Sequence, residues 1–514
     1  MDVMRTKSVE QSIRDTEEPG HQLRKQLGWV QLTVFGVGVV IGTGIFVLTG
    51  KAAGVQAGPA VSLSFVVAAI ACGLAALCYA EFASTVPVAG SAYTFSYASL
   101  GELVAWIIGW DLILELALGA STVAVGWSTY FADVARDLGV SIPSWLYGDG
   151  HNLIAAGIVL VLTGIICLGI KVSAQVNAVA VAVKVAIVLL VIVAGLFYVK
   201  ASNLSPFIPP SGSTPAKGTH TVPSLIQDLG FAPGAFGISG IFTAAALVFF
   251  AFIGFDIVAT AAEETKNPQR DLPRGIFASL AICTVLYVAV SLVITGMVKY
   301  TSISTDAPLA EAFRSVGQDG IASLISVGAL FGLTTVMMVL LLGQSRVFFA
   351  MARDRLLPPA FAKVSERTGT PYRTSIATGL VVAVISALVP LTELAELVNI
   401  GTLFAFIVVA LGVVVLRRKR PELPRAFRTP LVPWVPIASA LASFWLMLNL
   451  PTVTWIRFGI WMAIGLVVYF LYGARRSRLA TGAQAPEPYP GDVSARAGTA
   501  PSAPPGKDSR PGTA

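Results

Sequence analysis

The sequence predicts an all-α polytopic membrane protein, and three observations lead to that fold class. Of the 514 residues, 55% are hydrophobic and 12% are charged, whereas soluble domains carry about 25% charged residues. The apolar residues form about 12 runs that are each long enough to cross a bilayer as a helix. The basic residues fall mainly in every second connection between those runs. This alternation indicates an even number of transmembrane helices.

The apolar runs divide the chain into groups. The predicted spans are 28–50, 60–83, 102–133, 152–170, 177–199, 239–260, 275–298, 321–352, 374–391, 396–416, 432–450 and 454–474. We expect an N-terminal segment, a first repeat of five helices, a connection rich in Pro, Gly, Ser and Thr, a second repeat of five, two further helices and a tail. The corresponding ranges are 1–27, 28–199, 200–238, 239–416, 417–474 and 475–514. The tail is rich in Ala, Gly, Pro and Ser, a composition that predicts disorder.

The distribution of Lys and Arg predicts the orientation in the membrane. One set of connections, which includes both termini, carries most of the basic residues. The opposite loops hold only a few: Lys51, Arg136, Lys200, Lys217, Lys299, Arg314 and Arg457. Because cytoplasmic loops are enriched in Lys and Arg, both termini are predicted to be cytoplasmic, with the chain in the cytoplasmic (inner) membrane. The N-terminus is polar to about Leu27, so no cleavable signal peptide is predicted.

Several classes of function lack support in the sequence. The net charge of +7 does not indicate nucleic-acid binding, because the basic residues lie in short loops between apolar segments. The four cysteines lie within apolar runs and lack zinc spacing, and the three histidines lie in polar connections. No nucleophile, metal cluster or cofactor motif stands out. The sequence therefore predicts neither an enzyme nor a bound metal or cofactor.

The first span contains an unusual number of glycines. Residues 30–50 are apolar and long enough for a membrane helix, which needs about 20 residues. Glycine weakens a helix, and this run contains four near its centre: Gly36, Gly38, Gly42 and Gly44. A membrane helix can break only where its freed backbone faces protein, water or a ligand. The glycines predict either a break at residues 42–45 or close helix packing through small residues.

A second interrupted span favours the break. Residues 239–260 contain the run FFAFIGFD at their centre, which ends in Asp256. An acid at that depth costs ~3 kcal/mol and marks a functional site by default. Each interrupted span opens a group of five helices. Interrupted segments at corresponding positions of two halves are typical of inverted-repeat transporters.

The two breaks offer complementary chemistry to a ligand. The amides of Gly42, Thr43 and Gly44 open the second half of helix one, and the N-terminus of a helix attracts a carboxylate. Carbonyl groups at the end of the first half of helix six suit an ammonium group, and they belong to Phe250, Ala251 and Ile253. A ligand with an adjacent carboxylate and amine, an α-amino acid, fits between them.

Four titratable residues inside the predicted spans are candidates for function. Asp256 either caps the second half of helix six, which we favour, or braces the break or the substrate amine. Lys184 is a candidate proton switch because burial disfavours its charged form, but its side chain could instead extend to the cytoplasmic surface. Asp111 and Glu115 lie one helical turn apart. Glu115 is either a proton or charge partner of Lys184 or part of a polar network that orients helices.

Three further residues are candidates for the lining of the pocket. Phe250 is either a lid over the pocket or a packing residue, and packing is the commoner role for a single phenylalanine. Thr334 and Thr335 lie in a Gly-rich run of the eighth span. Their hydroxyl groups line the pocket or bond to neighbouring helices, and such structural bonding is the more common use.

Four motifs form a specific combination. They are GVGVVIGTGIF in the first span, Cys78-Tyr79-Ala80-Glu81-Phe82 in the second, FFAFIGFD with Glu263-Glu264-Thr265-Lys266-Asn267-Pro268 in the sixth, and Gly343-Gln344-Ser345-Arg346 with Met351-Ala352-Arg353-Asp354 in the eighth. This combination resembles the amino acid–polyamine–organocation superfamily of transporters. It is most similar to the bacterial branch related to cationic amino acid transporters, over roughly residues 25–475.

The resemblance implies a five-plus-five inverted repeat with broken helices one and six, followed by two extra helices. It implies a substrate site at the breaks. In helix one and its continuation the matching positions are Ile41, Gly42, Thr43, Gly44 and Ile45, of which Ile41, Thr43 and Gly44 match the carboxylate-and-amine end. In helix six they are Phe250, Ala251 and Ile253, with Phe250 as the aromatic gate.

The resemblance also implies roles in proton coupling. Lys184 matches a lysine that, in proton-coupled members, occupies the place of a sodium ion in sodium-coupled relatives. This favours the proton switch over extension to the surface. Asp256 and Glu115 match acidic positions of the same branch.

The sequence thus predicts a secondary transporter that imports L-amino acids together with protons by alternating access. Its expected partners are the amino acid, protons and the lipid bilayer, and a small membrane-protein partner is left open. One alternative is an exchanger that works without proton coupling. Another is a sensor that binds an amino acid without transporting it. The apolar, Thr-lined pocket suits small or medium neutral amino acids as well as cationic ones.

Overall fold

The computed structural model is almost entirely helical over the residues it describes. These are residue 5 and residues 27–85, 91–148, 150–169, 174–216, 219, 221–231, 235–261, 265–358, 361 and 372–481. Within them no strand occurs, and the only β-type contacts are two isolated bridges. Most of the predicted N-terminal segment, the acidic pair Glu263 and Glu264, and the predicted tail from residue 482 onward lie outside the described residues.

The main helices are numbered here in chain order. They are α1 (Trp29–Val40), α2 (Val61–Thr85), α3 (Ser91–Ser99), α4 (Glu102–Asp137), α5 (Leu153–Cys167), α6 (Ala174–Gly195), α7 (Gly237–Val248), α8 (Phe255–Thr260), α9 (Pro268–Met297), α10 (Pro308–Arg314), α11 (Asp319–Arg353), α12 (Tyr372–Leu388), α13 (Leu391–Lys419), α14 (Trp434–Leu448) and α15 (Thr452–Val468).

The described helices are those of a polytopic membrane protein. Eight helical segments are long and apolar enough to cross a membrane. Four shorter apolar helices, α1, α5, α12 and α14, accompany them. The prediction of an all-helical, multi-spanning chain is therefore confirmed. The total of 12 spans and the five-plus-five repeat stay predictions.

The first helix is interrupted close to its glycines. α1 ends at Val40 because Ile41 is extended, with φ −72° and ψ 97°. A π-helical turn then runs from Gly44 to Leu48, and the helix continues through Thr49–Ala52. The helical chain therefore stops and starts again within a few residues.

A second interruption separates α7 from α8. α7 is followed by a tight 3-10 turn, Phe249–Phe252. Ile253 is extended, and Gly254 has a φ of +115°, a backbone conformation that glycine adopts readily. α8 begins at the next residue. The run FFAFIGFD thus forms a turn between two helices.

Both interruptions lie inside the core of the helical bundle. α4 packs along α11 and α13, and α9 packs along α1 and α2. The side chains of Ile41, Ile45, Phe249 and Phe252 are fully buried. Backbone groups freed at the interruptions therefore face protein rather than lipid, as a membrane helix requires.

Residues 474–481 depart from the predicted disordered tail, because they form short helical turns. The hydroxyl of Ser477 donates to Glu102 at 2.9 Å, and the hydroxyl of Tyr469 donates to the other oxygen of that carboxylate at 3.1 Å. Glu102 is buried at the start of α4 and requires such donors. Composition alone did not predict these contacts.

Candidate functional site

The two interruptions touch each other at Gly44 and Ala251. A Cβ atom at Gly44 would lie 2.3 Å from the Cα atom of Ala251 and 2.4 Å from its Cβ atom, so a larger residue does not fit. Gly254 faces Val39 in the same way, with 2.5 Å between an added Cβ atom and Cγ1. The glycines therefore allow the backbones of the two broken helices to approach closely.

The second half of helix one begins with unused hydrogen-bond donors. The N–H of Phe46 donates to the carbonyl of Gly42 at 3.2 Å. The amides before it, from Gly42 to Ile45, have no acceptor among the described residues, as is usual at the start of a helix. The hydroxyl of Thr43 is fully buried and also lacks a partner among these residues. This cluster of donors is suited to a carboxylate or another acceptor.

Asp256 lies in the first turn of α8, and its carboxylate points back to the interruption. Its Oδ1 atom accepts from the N–H of Gly254 at 3.3 Å, and the side chain is buried. The N-cap residue of α8 is Gly254, so Asp256 is not itself the N-cap but accepts from the N–H of that residue, and its role stays a prediction. Phe250 is almost fully buried in the 3-10 turn, a position compatible with both packing and gating.

Tyr287 of α9 connects the two interruptions directly. Its hydroxyl oxygen lies 2.7 Å from the carbonyl oxygen of Val40 and 3.0 Å from that of Ala251. A phenol has one proton, so it can fully serve only one of these carbonyls at a time. The other carbonyl retains the capacity to accept from a ligand. Tyr287 therefore ties the end of α1 to the turn after α7.

Asn399 of α13 holds the end of α7. Its Nδ2 group donates to the carbonyls of Ala246 and Leu247 at 2.7 and 3.0 Å, and the side chain is fully buried. The last carbonyls of a helix lack intrahelical donors. Asn399 supplies donors to two of them and so fixes the position from which the 3-10 turn begins.

Lys184 is buried beside the end of α1. Its Nζ atom donates to the carbonyl of Gly38 at 2.6 Å, and only 1% of the residue is exposed. The aliphatic part of the side chain passes close to Gly332 of α11, with Cγ 2.9 Å from the position of an added Cβ atom. The ammonium group therefore contacts α1 and does not extend to the surface.

The acidic residues gather elsewhere. Asp111, Glu115 and Asp256 are all buried, and Glu115 lies within electrostatic range of the other two. Lys184 instead has Cys283 as its titratable neighbour. The described residues contain no contact between Glu115 and Lys184. Both carboxylate oxygens of Asp111 lack a hydrogen-bond partner among the described residues.

The two threonines of α11 differ in their contacts. Thr334 accepts a hydrogen bond from Nε1 of Trp127 at 2.9 Å and so links α11 to α4. Thr335 donates within its own helix. Val336 faces Gly42, with both methyl carbons 3.6 to 3.7 Å from the position of an added Cβ atom. α11 therefore forms one wall beside the first interruption.

Sequence reasoning did not single out three residues that bind carbonyls around the interruptions. They are Tyr287, Asn399 and Tyr130, of which Tyr130 donates to the carbonyl of Phe46 at 2.7 Å. Each is a lone polar side chain in an apolar run. That signal is weak, because a membrane tyrosine or asparagine can equally face the lipid interface or another helix.

Comparison with known proteins identifies related transporters. Residues 27–472 match a family model described as amino acid permease. The chain is 48% identical over 487 residues to the branched-chain amino acid permease BcaP of Bacillus subtilis (strain 168), which covers 93% of this chain and 99% of the relative. It is also 48% identical over 464 residues to the methylthioribose transporter of that organism, with coverage of 89% and 95%.

A plant relative is more distant. The vacuolar cationic amino acid transporter 2 of Arabidopsis thaliana is 40% identical over 426 residues, which is 82% of this chain and 64% of the relative. The names of these relatives refer to substrates that differ in charge and in chemical class.

Proposed function

Because the chain belongs to the amino acid permease family, we propose that it imports L-amino acids together with protons by alternating access. The observation that carries this proposal is the contact of the two interruptions at Gly44 and Ala251. This contact supports a site in which the free amides after Ile41 lie next to the carbonyls before Gly254. The site thus offers donors and acceptors within one small volume, as a zwitterion requires.

The substrate carboxylate binds the amides of residues 42–45, where the partial positive charge of the helix start favours an anion. The ammonium group binds the carbonyls of the turn at Phe250, Ala251 and Ile253. Ile41 and Ile45 flank the amides, and Phe250 closes the pocket. Val336, together with Thr334 and Thr335 of the same helix, borders the substrate side chain.

Proton coupling is assigned to Lys184, supported by its burial and its bond to Gly38. A charged lysine holds the end of α1 through this carbonyl, and a neutral lysine holds it more weakly, since charge-assisted bonds are the stronger ones. Proton release therefore loosens α1 beside the substrate site. Glu115 and Asp256, which interact electrostatically, form a second titratable group.

The membrane architecture follows the same proposal. The chain is a multi-pass protein of the plasma membrane, as its bacterial relatives imply. The four shorter apolar helices complete a set of 12 spans, arranged as five-plus-five inverted repeats with two further helices. Both termini are placed in the cytoplasm because the connections on their side carry most of the Lys and Arg residues.

The test is uptake by the full chain in proteoliposomes. All natural amino acids are screened with and without an imposed pH gradient. We expect saturable uptake of a subset that increases when the outside is acidic. Counterflow without proton flux would instead indicate an exchanger, and binding without uptake would indicate a sensor.

A second candidate substrate is methylthioribose, because the relative of that name is as similar, at 48% identity, as the branched-chain permease. A thio-sugar has no carboxylate, so its hydroxyl oxygens would accept from the amides of residues 42–45. The same screen includes methylthioribose. If methylthioribose were taken up and no amino acid were, the proposal that the site binds a zwitterion would be overturned.

A further inference from the structure

The connection between α13 and α14 folds over the C-terminal end of α2. Arg417 donates to the carboxylate of Glu81 through Nε at 2.8 Å and Nη2 at 2.7 Å. The N–H of Thr429 donates to the same carboxylate at 2.8 Å, and Arg417 donates to the carbonyl of Thr429 at 2.9 Å. One buried acid on α2 therefore fixes both ends of the connection.

The interior of the connection is organised by a second guanidinium group. Arg425 is 5% exposed, and it donates to the carbonyls of Leu423 and Arg420 at 2.9 and 2.8 Å. Its Nε atom lies 3.3 Å from the carboxylate of Glu81. The backbone thus wraps around a buried positive charge.

Positive charge in this connection exceeds negative charge. Residues 417–428 contain six basic side chains and one acidic one, Glu422, which pairs with Arg420. Glu81 adds one carboxylate. Burial lowers the pKa of Arg425; Glu81 opposes this shift, and two neighbouring arginines add to it. The local field is therefore positive even after the internal ion pairs are counted.

The uncompensated charge lies at the surface. Arg418, Lys419 and Arg428 are exposed, and none of them pairs with a carboxylate among the described residues. The bond between Arg417 and Thr429 holds the start and the end of the connection together. Arg428 is therefore brought near the two basic residues that end α13.

Exposed apolar side chains directly follow these charges. Leu431 and Trp434 are 75% and 71% exposed, at the start of α14. Tryptophan prefers the boundary between lipid headgroups and acyl chains. Trp434 therefore marks the depth of that boundary, and the basic residues just before it lie at the level of the headgroups.

We infer that this basic connection, residues 417–434, binds the headgroups of anionic phospholipids. Clusters of Lys and Arg next to a membrane helix attract the headgroups of such lipids electrostatically. A guanidinium group can donate two parallel hydrogen bonds to the oxygens of one phosphate. A bound lipid screens the repulsion among the cations and holds the connection against α2. This role does not depend on the identity of the transported substrate.

The experiment uses the full chain in phosphatidylcholine vesicles with and without phosphatidylglycerol. The variant carries Arg418→Gln, Lys419→Gln and Arg428→Gln. The matched control carries Lys266→Gln, Arg270→Gln and Arg274→Gln, which removes two arginines and one lysine that are also exposed. The readouts are the midpoint of thermal unfolding and the phosphatidylglycerol that copurifies with the protein.

We expect phosphatidylglycerol to raise the unfolding midpoint of the wild type and the control, and added salt to reduce that rise because it screens exposed charges. The variant of the basic connection should lose most of the rise and of the copurified lipid. Equal responses of the two variants would overturn the inference. If inorganic phosphate raised the unfolding midpoint equally in pure phosphatidylcholine vesicles, the inference of lipid binding would also be overturned. If the triple variant does not fold, Arg428→Gln alone is compared with Arg270→Gln.

Discussion

The Nζ atom of Lys184 lies 2.6 Å from the carbonyl oxygen of Gly38. This bond joins α6 to the last turn of α1, directly before the interruption. Glycine at position 38 permits the approach, because an added Cβ atom would lie 2.4 Å from Cγ2 of Val181 on α6. Lys184 therefore holds the end of α1, directly before the interruption, through a hydrogen bond to its backbone.

Replacement of Lys184 by methionine should abolish the stimulation of uptake by a pH gradient, since it removes the titrating group at nearly constant volume. Residual exchange of substrate should persist. Uptake and counterflow in proteoliposomes measure the two activities. Lys51→Met is the control, because Lys51 donates to Thr392 away from the interruptions. Full gradient dependence of the Lys184 variant would contradict the assignment.

Gly44→Ala should weaken substrate binding, because its Cβ atom would lie 2.3 Å from the backbone of Ala251. An overpacking cost of about 1–3 kcal/mol in the substrate-bound state corresponds to roughly a 5- to 150-fold loss of affinity. Calorimetry or a thermal-shift titration measures the affinity. Gly119→Ala is the control, because its Cβ atom would lie 3.6 Å from Leu340, an ordinary contact. Unchanged affinity in the Gly44 variant would exclude the carboxylate site.

Tyr287→Phe should destabilise the substrate-free protein by about 1–3 kcal/mol, since it leaves the carbonyls of Val40 and Ala251 without their shared donor. Saturating amino acid should restore part of this loss, because the substrate ammonium can serve Ala251. The midpoint of thermal unfolding with and without substrate gives both values. Tyr300→Phe is the control, because it removes the hydroxyl of another buried tyrosine, whose ring packs on Phe236 directly before α7. Equal effects of the two variants would contradict the bridging role.

Asn399→Leu should reduce affinity for substrate more than it reduces stability, since the carbonyls of Ala246 and Leu247 lose the donors that position the 3-10 turn. The carbonyl of Leu247 still accepts from the N–H of Phe249, so one carbonyl loses its donor and the free energy of unfolding should fall by only about 1–3 kcal/mol. Asn449→Leu removes a buried asparagine that donates to Trp445 at the end of α14. A parallel loss of substrate affinity in that control would indicate a general structural effect.

Arg417→Gln should destabilise the fold by about 3–5 kcal/mol, since it leaves the buried carboxylate of Glu81 with less compensation. The double variant with Glu81→Gln should recover part of this loss, because the buried carboxylate is then neutral and the Arg425 guanidinium is the charge that stays buried there. A double-mutant cycle of unfolding free energies in detergent measures the coupling. Additive effects would show that the pair does not interact.

Part of this site could be predicted from the sequence. The glycines of the first span and the acid after FFAFIGFD indicated two interruptions, because glycine and a buried charge are both costly in a membrane helix. The chain is interrupted at Ile41 and again at Ile253. The residue types alone were sufficient to predict these interruptions, because the energetic cost of a glycine or a buried charge arises within the helix that contains it.

Other features depend on which helices become neighbours. The depth of Lys184 in its span allowed either burial or extension to the surface, and only the packing against Gly38 and Gly332 decides between them. Tyr287 and Asn399 act on carbonyls about 36 and 150 residues away in the chain. The sequence left Glu115 open as a partner of Lys184 or as part of a polar network, and in the structure it interacts electrostatically with Asp111 and Asp256.

The bond between Ser477 and Glu102 spans 375 positions of the chain. During synthesis, the ribosome delivers Glu102 long before it delivers Ser477 or Tyr469. The carboxylate of Glu102, in the first turn of α4, therefore lacks two of its hydrogen-bond donors until Tyr469 and Ser477 have been synthesised. An early stop codon or a fusion placed before residue 477 would leave this carboxylate incompletely bonded, whatever the fate of the remaining helices.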